Sequence, residues 1–142
     1  MKASARLIAG LVLLLAAVVL ASGCQKAQQA TPKAAVEIRA YYPFNADHKF
    51  IADYLKELAG KHPGQVSVEL FDTQTPEGRT AWGESGLNCA GVFVNGKTEY
   101  EIEKDGKKET VQFLKRMDVF WQRGDLEAVV NTLLEEAKKK GA

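Results

Sequence analysis

The sequence predicts an α/β domain, a three-layer sandwich in which helices cover both faces of one four-stranded mixed sheet, in the order β-α-β-α-β-β-α. Three observations lead there. Short apolar segments with the period of a strand alternate with longer ones of helical period, which brings parallel strands together through crossover helices. An Asp105-Gly106 pair stands between two complementary stretches and adds an antiparallel hairpin. A single apolar stripe near the carboxyl terminus supplies a last helix to pack on the sheet.

Val36 to Tyr42 sets Val36, Ile38 and Ala40 against Glu37 and Arg39, the alternation of a strand with one buried face. From Lys49 to about Gly60, Phe50, Ile51, Tyr54, Leu55, Leu58 and Ala59 recur at helical spacing, and Gly60 suits the stop. Val66 to Phe71 reads as the second strand. Thr75, Pro76 and Glu77 combine a capping hydroxyl, a ring with no amide to lose and an acid in the first turn. A short helix starts there, carries Ala81 and Trp82, and closes between Gly83 and Gly86. Gly91 to Val94 is an apolar strand ended by Asn95 and Gly96. Counting outward from Asp105-Gly106 pairs Tyr100 with Val111 and Thr98 with Phe113 on one face, and Glu103 with Lys108 on the other. Asp125 is expected to cap the last helix, which presents Leu126, Val129, Val130, Leu133, Leu134 and Ala137 on one stripe.

The amino terminus carries a different signal. Lys2 and Arg6 precede an apolar run from Leu7 to Ala21, shorter than the roughly 20 residues a membrane-spanning helix needs. A basic start, a short apolar stretch and small residues after it describe an export signal over residues 1–23. Ala21, Ser22 and Gly23 ahead of Cys24 resemble the lipobox of bacterial lipoproteins, with Ala21 where that family prefers Leu. The resemblance implies that Cys24 becomes a diacylglyceryl cysteine, with a further palmitate-class chain on its amine. Two or more chains anchor a protein stably where one does not. Ordinary signal cleavage with a free Cys24, and a retained membrane helix, are the alternatives. The lipoprotein resemblance implies a lipid anchor in the cell envelope outside the cytoplasm, and Gln25, a residue other than Asp after the cysteine, implies the outer membrane where the source has two membranes. Gln25 to Ala35 reads QKAQQATPKAA, too polar to offset its chain entropy, so residues 24–35 are expected to form a lipidated, flexible tether. Its root-mean-square reach is about 17–20 Å. Residues 36–142 form the domain.

Charge narrows the partners. With Lys2 and Arg6 removed, 17 of the 19 basic residues face 18 acidic ones, a formal charge of about −1. Phosphate neutralisation needs a basic face, so no nucleic-acid partner is expected. Lys138, Lys139 and Lys140 instead complement the negative end of the last helix.

Lys49 to Ala59 resembles the helix that follows the active-site motif of thioredoxins, with lysine, apolar and alanine positions in step. Together with the element order, the resemblance implies a thioredoxin-like fold over residues 36–140. Where thioredoxins carry Cys-x-x-Cys, this chain has Asn45-Ala46-Asp47-His48, so dithiol exchange has no reagent. The stretch from Gly86 to Gly96 resembles the loop and strand around the thioredoxin cis-proline. Asn88 or Ala90 stands in the proline's place, with Cys89 beside it, and a trans peptide is expected because a non-proline cis bond costs about 3–4 kcal/mol.

Cys89 is the remaining thiol once Cys24 is lipidated. Free cysteines are among the most buried residues, so packing is its plain explanation. The thioredoxin-like layout would instead set it against the start of the first helix, near Asn45 and His48, as a single-cysteine redox centre or soft-metal ligand. Asn45 or Asp47 as a helix cap and His48 as a half-exposed first-turn residue are the plainer readings. Tyr41, Tyr42, Pro43 and Phe44 cluster at the end of the first strand, and Phe120 with Trp121 before the last helix. Core packing is the default for both clusters. An exposed Tyr42 or Phe44 at a strand's carboxyl end would line a groove for a protein or peptide partner. His62 precedes Pro63 in a loop, and two histidines with one cysteine match no zinc pattern. Ser67 and Ser85 have no placed base, Glu135 and Glu136 lie on a solvated helix face, and no glycine loop cradles phosphate. No cofactor is implied. The expectation is a membrane-anchored binding or scaffold domain without dithiol oxidoreductase activity, the alternative a single-cysteine redox or metal-handling protein.

Overall fold

The computed structural model describes residues 33–141, and the export signal, Cys24 and most of the tether lie outside the described residues. The elements run β1 (Val36–Tyr42), α1 (Lys49–Lys61), β2 (Val66–Asp72), α2 (Pro76–Ser85), β3 (Gly91–Val94), β4 (Glu99–Lys104), β5 (Lys107–Gln112) and α3 (Arg123–Lys140).

β1 occupies the centre of the main sheet because both its edges are paired. It runs parallel to β2, from Val36↔Val66 to Tyr42↔Asp72, and antiparallel to β3, from Ile38↔Val94 to Tyr41↔Gly91. The period-2 alternation predicted for β1 places Val36, Ile38, Ala40 and Tyr42 on one face, all at 1 % exposure or less. That face joins Ile51, Leu55 and Leu58 of α1 and Leu126, Val129, Val130 and Leu134 of α3 in one core. On the opposite face Tyr41 stacks on Phe71 at 4.6 Å between ring centroids and meets Phe93 edge-on at 5.9 Å. α2 covers only part of this side. An open groove of about 340 Å³ remains along Glu37, Arg39, Phe93 and Asn95.

The expected four-stranded sheet is corrected to three strands, β2-β1-β3, with β4 and β5 forming a separate two-stranded ribbon, so the order is β-α-β-α-β-β-β-α. The turn after β3 explains the split. Asn95 and Gly96 both take positive φ, 46° and 78°, and fold Lys97 straight back on Val94. The chain then leaves as β4 and returns along β3 only beyond β5. There Val92 N donates to Phe113 O at 2.8 Å and Lys115 N to Ala90 O at 2.6 Å. Within the ribbon the register is the one counted from the turn: Tyr100 faces Val111, Glu103 faces Lys108, and Asp105 and Gly106 take φ of 50° and 73°.

The first helix begins at Lys49 as read from the sequence, but the caps of α1 and α3 differ from expectation. His48, not Asn45 or Asp47, is the N-cap residue of α1, and it makes no side-chain cap bond. Asn45 shapes the turn before the helix, its Oδ1 accepting from Asp47 N at 3.1 Å while its carbonyl accepts from Lys49 N at 2.9 Å. α3 starts earlier than Asp125, because Gln122 and Asp125 form a capping box in which Asp125 Oδ2 accepts from Gln122 N at 2.8 Å. α2 begins as predicted: Thr75 Oγ1 accepts from Gly78 N at 3.0 Å, and Pro76 opens the first turn. Gly78 is needed because a Cβ there would stand 1.9 Å from Asp72 O, so this helix start sits directly on the end of β2.

Candidate functional site

The parallel pair β1-β2 ends in two loops, and the carboxyl ends of such strands are where open α/β sheets bind ligands. Asp72 ties the two loops together. Its Oδ1 accepts from Gln74 N at 2.9 Å and from Phe44 N at 3.4 Å, while Thr73 N donates to Tyr42 O at 3.0 Å. The loop before β3 closes the third side, held by Trp82 Nε1 donating to Cys89 O at 3.4 Å. Between them lies a groove of about 230 Å³ with mostly apolar walls, lined by Pro43, Thr73, Arg79, Trp82 and Ala90.

Tyr42 does not line this groove. The residue is fully buried, and its hydroxyl donates to Lys115 O at 2.5 Å, so core packing holds for Tyr42 and its candidate place in a partner groove is corrected. The alternation of β1 accounts for this, since one further step from Ala40 turns Tyr42 toward the core. Burial pushes the Tyr42 hydroxyl far above the usual phenol range. Phe44 is half-buried, packed against the core with its ring 6.2 Å from that of Tyr42.

The His48 ring lies 5.8 Å from the Tyr42 ring, and its Nδ1 stands 3.2 Å from Asn45 Oδ1. Cys89 is a free, half-exposed thiol whose carbonyl accepts from the Trp82 indole. Asn45 and His48 are thus in contact, whereas no hydrogen bond joins Cys89 to either of them among the described residues. No group of three or more His, Cys, Asp or Glu side chains able to hold a metal ion occurs among the described residues. No helix among them is long and apolar enough to cross a membrane.

Arg79, Trp82 and Thr73 were not anticipated as site residues. Helical spacing places Arg79 and Trp82 three apart on α2, which puts them on neighbouring turns of one face. Sequence alone does not say that this face meets the end of β1. The second aromatic cluster divides: Trp121 is 2 % exposed and packs edge-on against Phe113 at 5.3 Å, while Val119 and Phe120 are 62 % and 58 % exposed. Lys115 Nζ sits 4.6 Å over the Phe120 ring.

No family model, curated protein or solved structure matches the chain.

Proposed function

We propose that the chain is a lipid-anchored envelope protein with a thioredoxin-like domain that binds a protein or peptide partner in the groove at the carboxyl ends of β1 and β2. The observation that carries the binding reading is a mostly apolar groove at the carboxyl ends of β1 and β2, walled by Pro43, which stands two residues before the Asn45-Ala46-Asp47-His48 run. The strand order β2-β1-β3, with Phe113 to Lys115 bonded along the outer edge of β3, supports the thioredoxin-like reading. The lipobox-like run Ala21-Ser22-Gly23-Cys24 supports the anchor. Lys33 to Ala35 lead into the opposite end of β1, whose 7 residues span about 23 Å, so the groove lies a strand's length from where the domain begins.

Two measurements test this reading. Intact mass spectrometry of the mature protein is expected to find diacylglyceryl and further acyl mass on Cys24; an unmodified Cys24 overturns the anchor. A photo-crosslinking amino acid at exposed Gln74, beside the groove wall, is expected to capture a discrete partner in native membranes. An absence of any adduct overturns the binding site. The half-exposed Cys89 keeps a single-thiol redox or metal-handling role as the second reading. Cys89→Ser separates the two: a binding groove keeps its crosslink, whereas a thiol function is lost outright.

A further inference from the structure

The geometry points to the carboxyl-terminal residue of a partner protein, an apolar side chain carrying its own carboxylate, as the group this groove accepts; the inference rests on the binding reading above. Size is the first reason. At about 230 Å³ the cavity lies below the ~300–1,000 Å³ of sites for small molecules and cofactors, so it suits a single side chain and not a nucleotide or flavin. The walls are the second. Pro43, Trp82 and Ala90 are apolar, and the indole N–H is already engaged by Cys89 O. A charged side chain entering there would lose its hydration without compensation.

The third reason is the cation. Arg79 lines the groove yet is exposed, and among the described residues it makes no ion pair and no side-chain hydrogen bond. A free guanidinium beside an apolar cavity offers a planar pair of donors that a carboxylate fills in two-pronged fashion. Arg79 also stands near the amino-terminal, positive end of α2, which adds to the preference for an anion. A chain terminus meets both demands at once. Its side chain fills the cavity while its carboxylate, attached at the same Cα, stays at the rim. An internal Asp or Glu would instead carry the charge on the tip that must enter the apolar walls.

The test is a titration of the full-length protein in detergent micelles, read from the Trp82 indole and Ala90 amide resonances. The probes are Gly-Gly-Leu as the free acid, its carboxyl-terminal amide, and 4-methylpentanoate. The free acid is expected to shift both resonances, and amidation to weaken binding by about tenfold or more. Arg79→Gln is expected to produce the same loss and Arg79→Lys to recover part of it; the exposed position keeps both variants folded. Equal binding of acid and amide, or an unchanged affinity in Arg79→Gln, overturns the inference. If Gln74 still captures a partner in membranes, the groove itself stands while its proposed occupant falls. Binding of 4-methylpentanoate as tight as that of the tripeptide overturns a protein terminus in favour of a free carboxylic acid. No shift with any probe overturns the inference as well.

Discussion

Two tyrosines hold their hydroxyls inside the protein, Tyr42 donating to Lys115 O at 2.5 Å and Tyr54 to Arg123 O at 2.8 Å. Burial is the largest influence on both and pushes both hydroxyls far upward, because the low-dielectric surroundings disfavour the phenolate. In the unfolded chain a phenol ionises near pH 10, before its folded counterpart, so unfolding releases protons above that pH. The stabilisation from these groups is therefore complete below about pH 10 and declines as pH rises toward the folded values. Urea unfolding is expected to show stability falling from about pH 10 upward. Tyr42→Phe should lose about 1–2 kcal/mol at neutral pH, since Lys115 O loses its donor, and should show a shallower alkaline decline. A wild-type stability that stays flat through the phenol range would contradict this account.

Asp125 joins two elements that the chain order keeps apart. Its Oδ2 closes the capping box of α3, and its Oδ1 meets Lys104 Nζ, the last residue of β4, at 2.6 Å. The pairing is asymmetric in solvent: the Asp125 side chain is 4 % exposed and that of Lys104 41 %. The Asp125 carboxylate is also the main cause raising the Lys104 ammonium above its ordinary range. Removing the lysine leaves a carboxylate out of water with one backbone N–H for company. Lys104→Met is expected to destabilise the domain clearly, though by less than the loss of a partner in a fully buried pair, because the lysine is half in solvent. Lys138→Met, which breaks the open pair with Glu135, should leave stability nearly unchanged. Equal effects of the two substitutions in urea unfolding would remove the proposed tie between ribbon and helix.

At the scale of the whole domain, protection is expected to follow the sheet. β1 is paired on both sides and contributes four residues to the core, whereas β5 pairs only with β4 and is exposed along most of its length. Amide hydrogen exchange should therefore be slowest in β1 and fastest, among the strands, in the tip around Asp105 and Gly106. Mass-spectrometric exchange that finds β4-β5 as protected as β1 would mean that the ribbon unfolds only with the core. The same unevenness bears on function, since the groove is built from the ends of the stable sheet and not from the ribbon.

Period and turn chemistry made much of this domain legible in the sequence. The spans of β1, α1, β2, α2 and β3 and the register of the hairpin follow from local rules, because side-chain period and the φ preferences of Asn-Gly and Asp-Gly act within a few residues. The burial of Tyr42 was legible too, since it continues the alternation of Val36, Ile38 and Ala40. Three matters belonged to the tertiary structure: the ribbon's departure from the main sheet, Asp125 tying the capping box of α3 to Lys104, and Arg79 and Trp82 meeting Pro43 at the strand ends. Each depends on which surfaces meet across long stretches of chain. No local period encodes such meetings, because they are selected by burial and packing of the molecule as a whole.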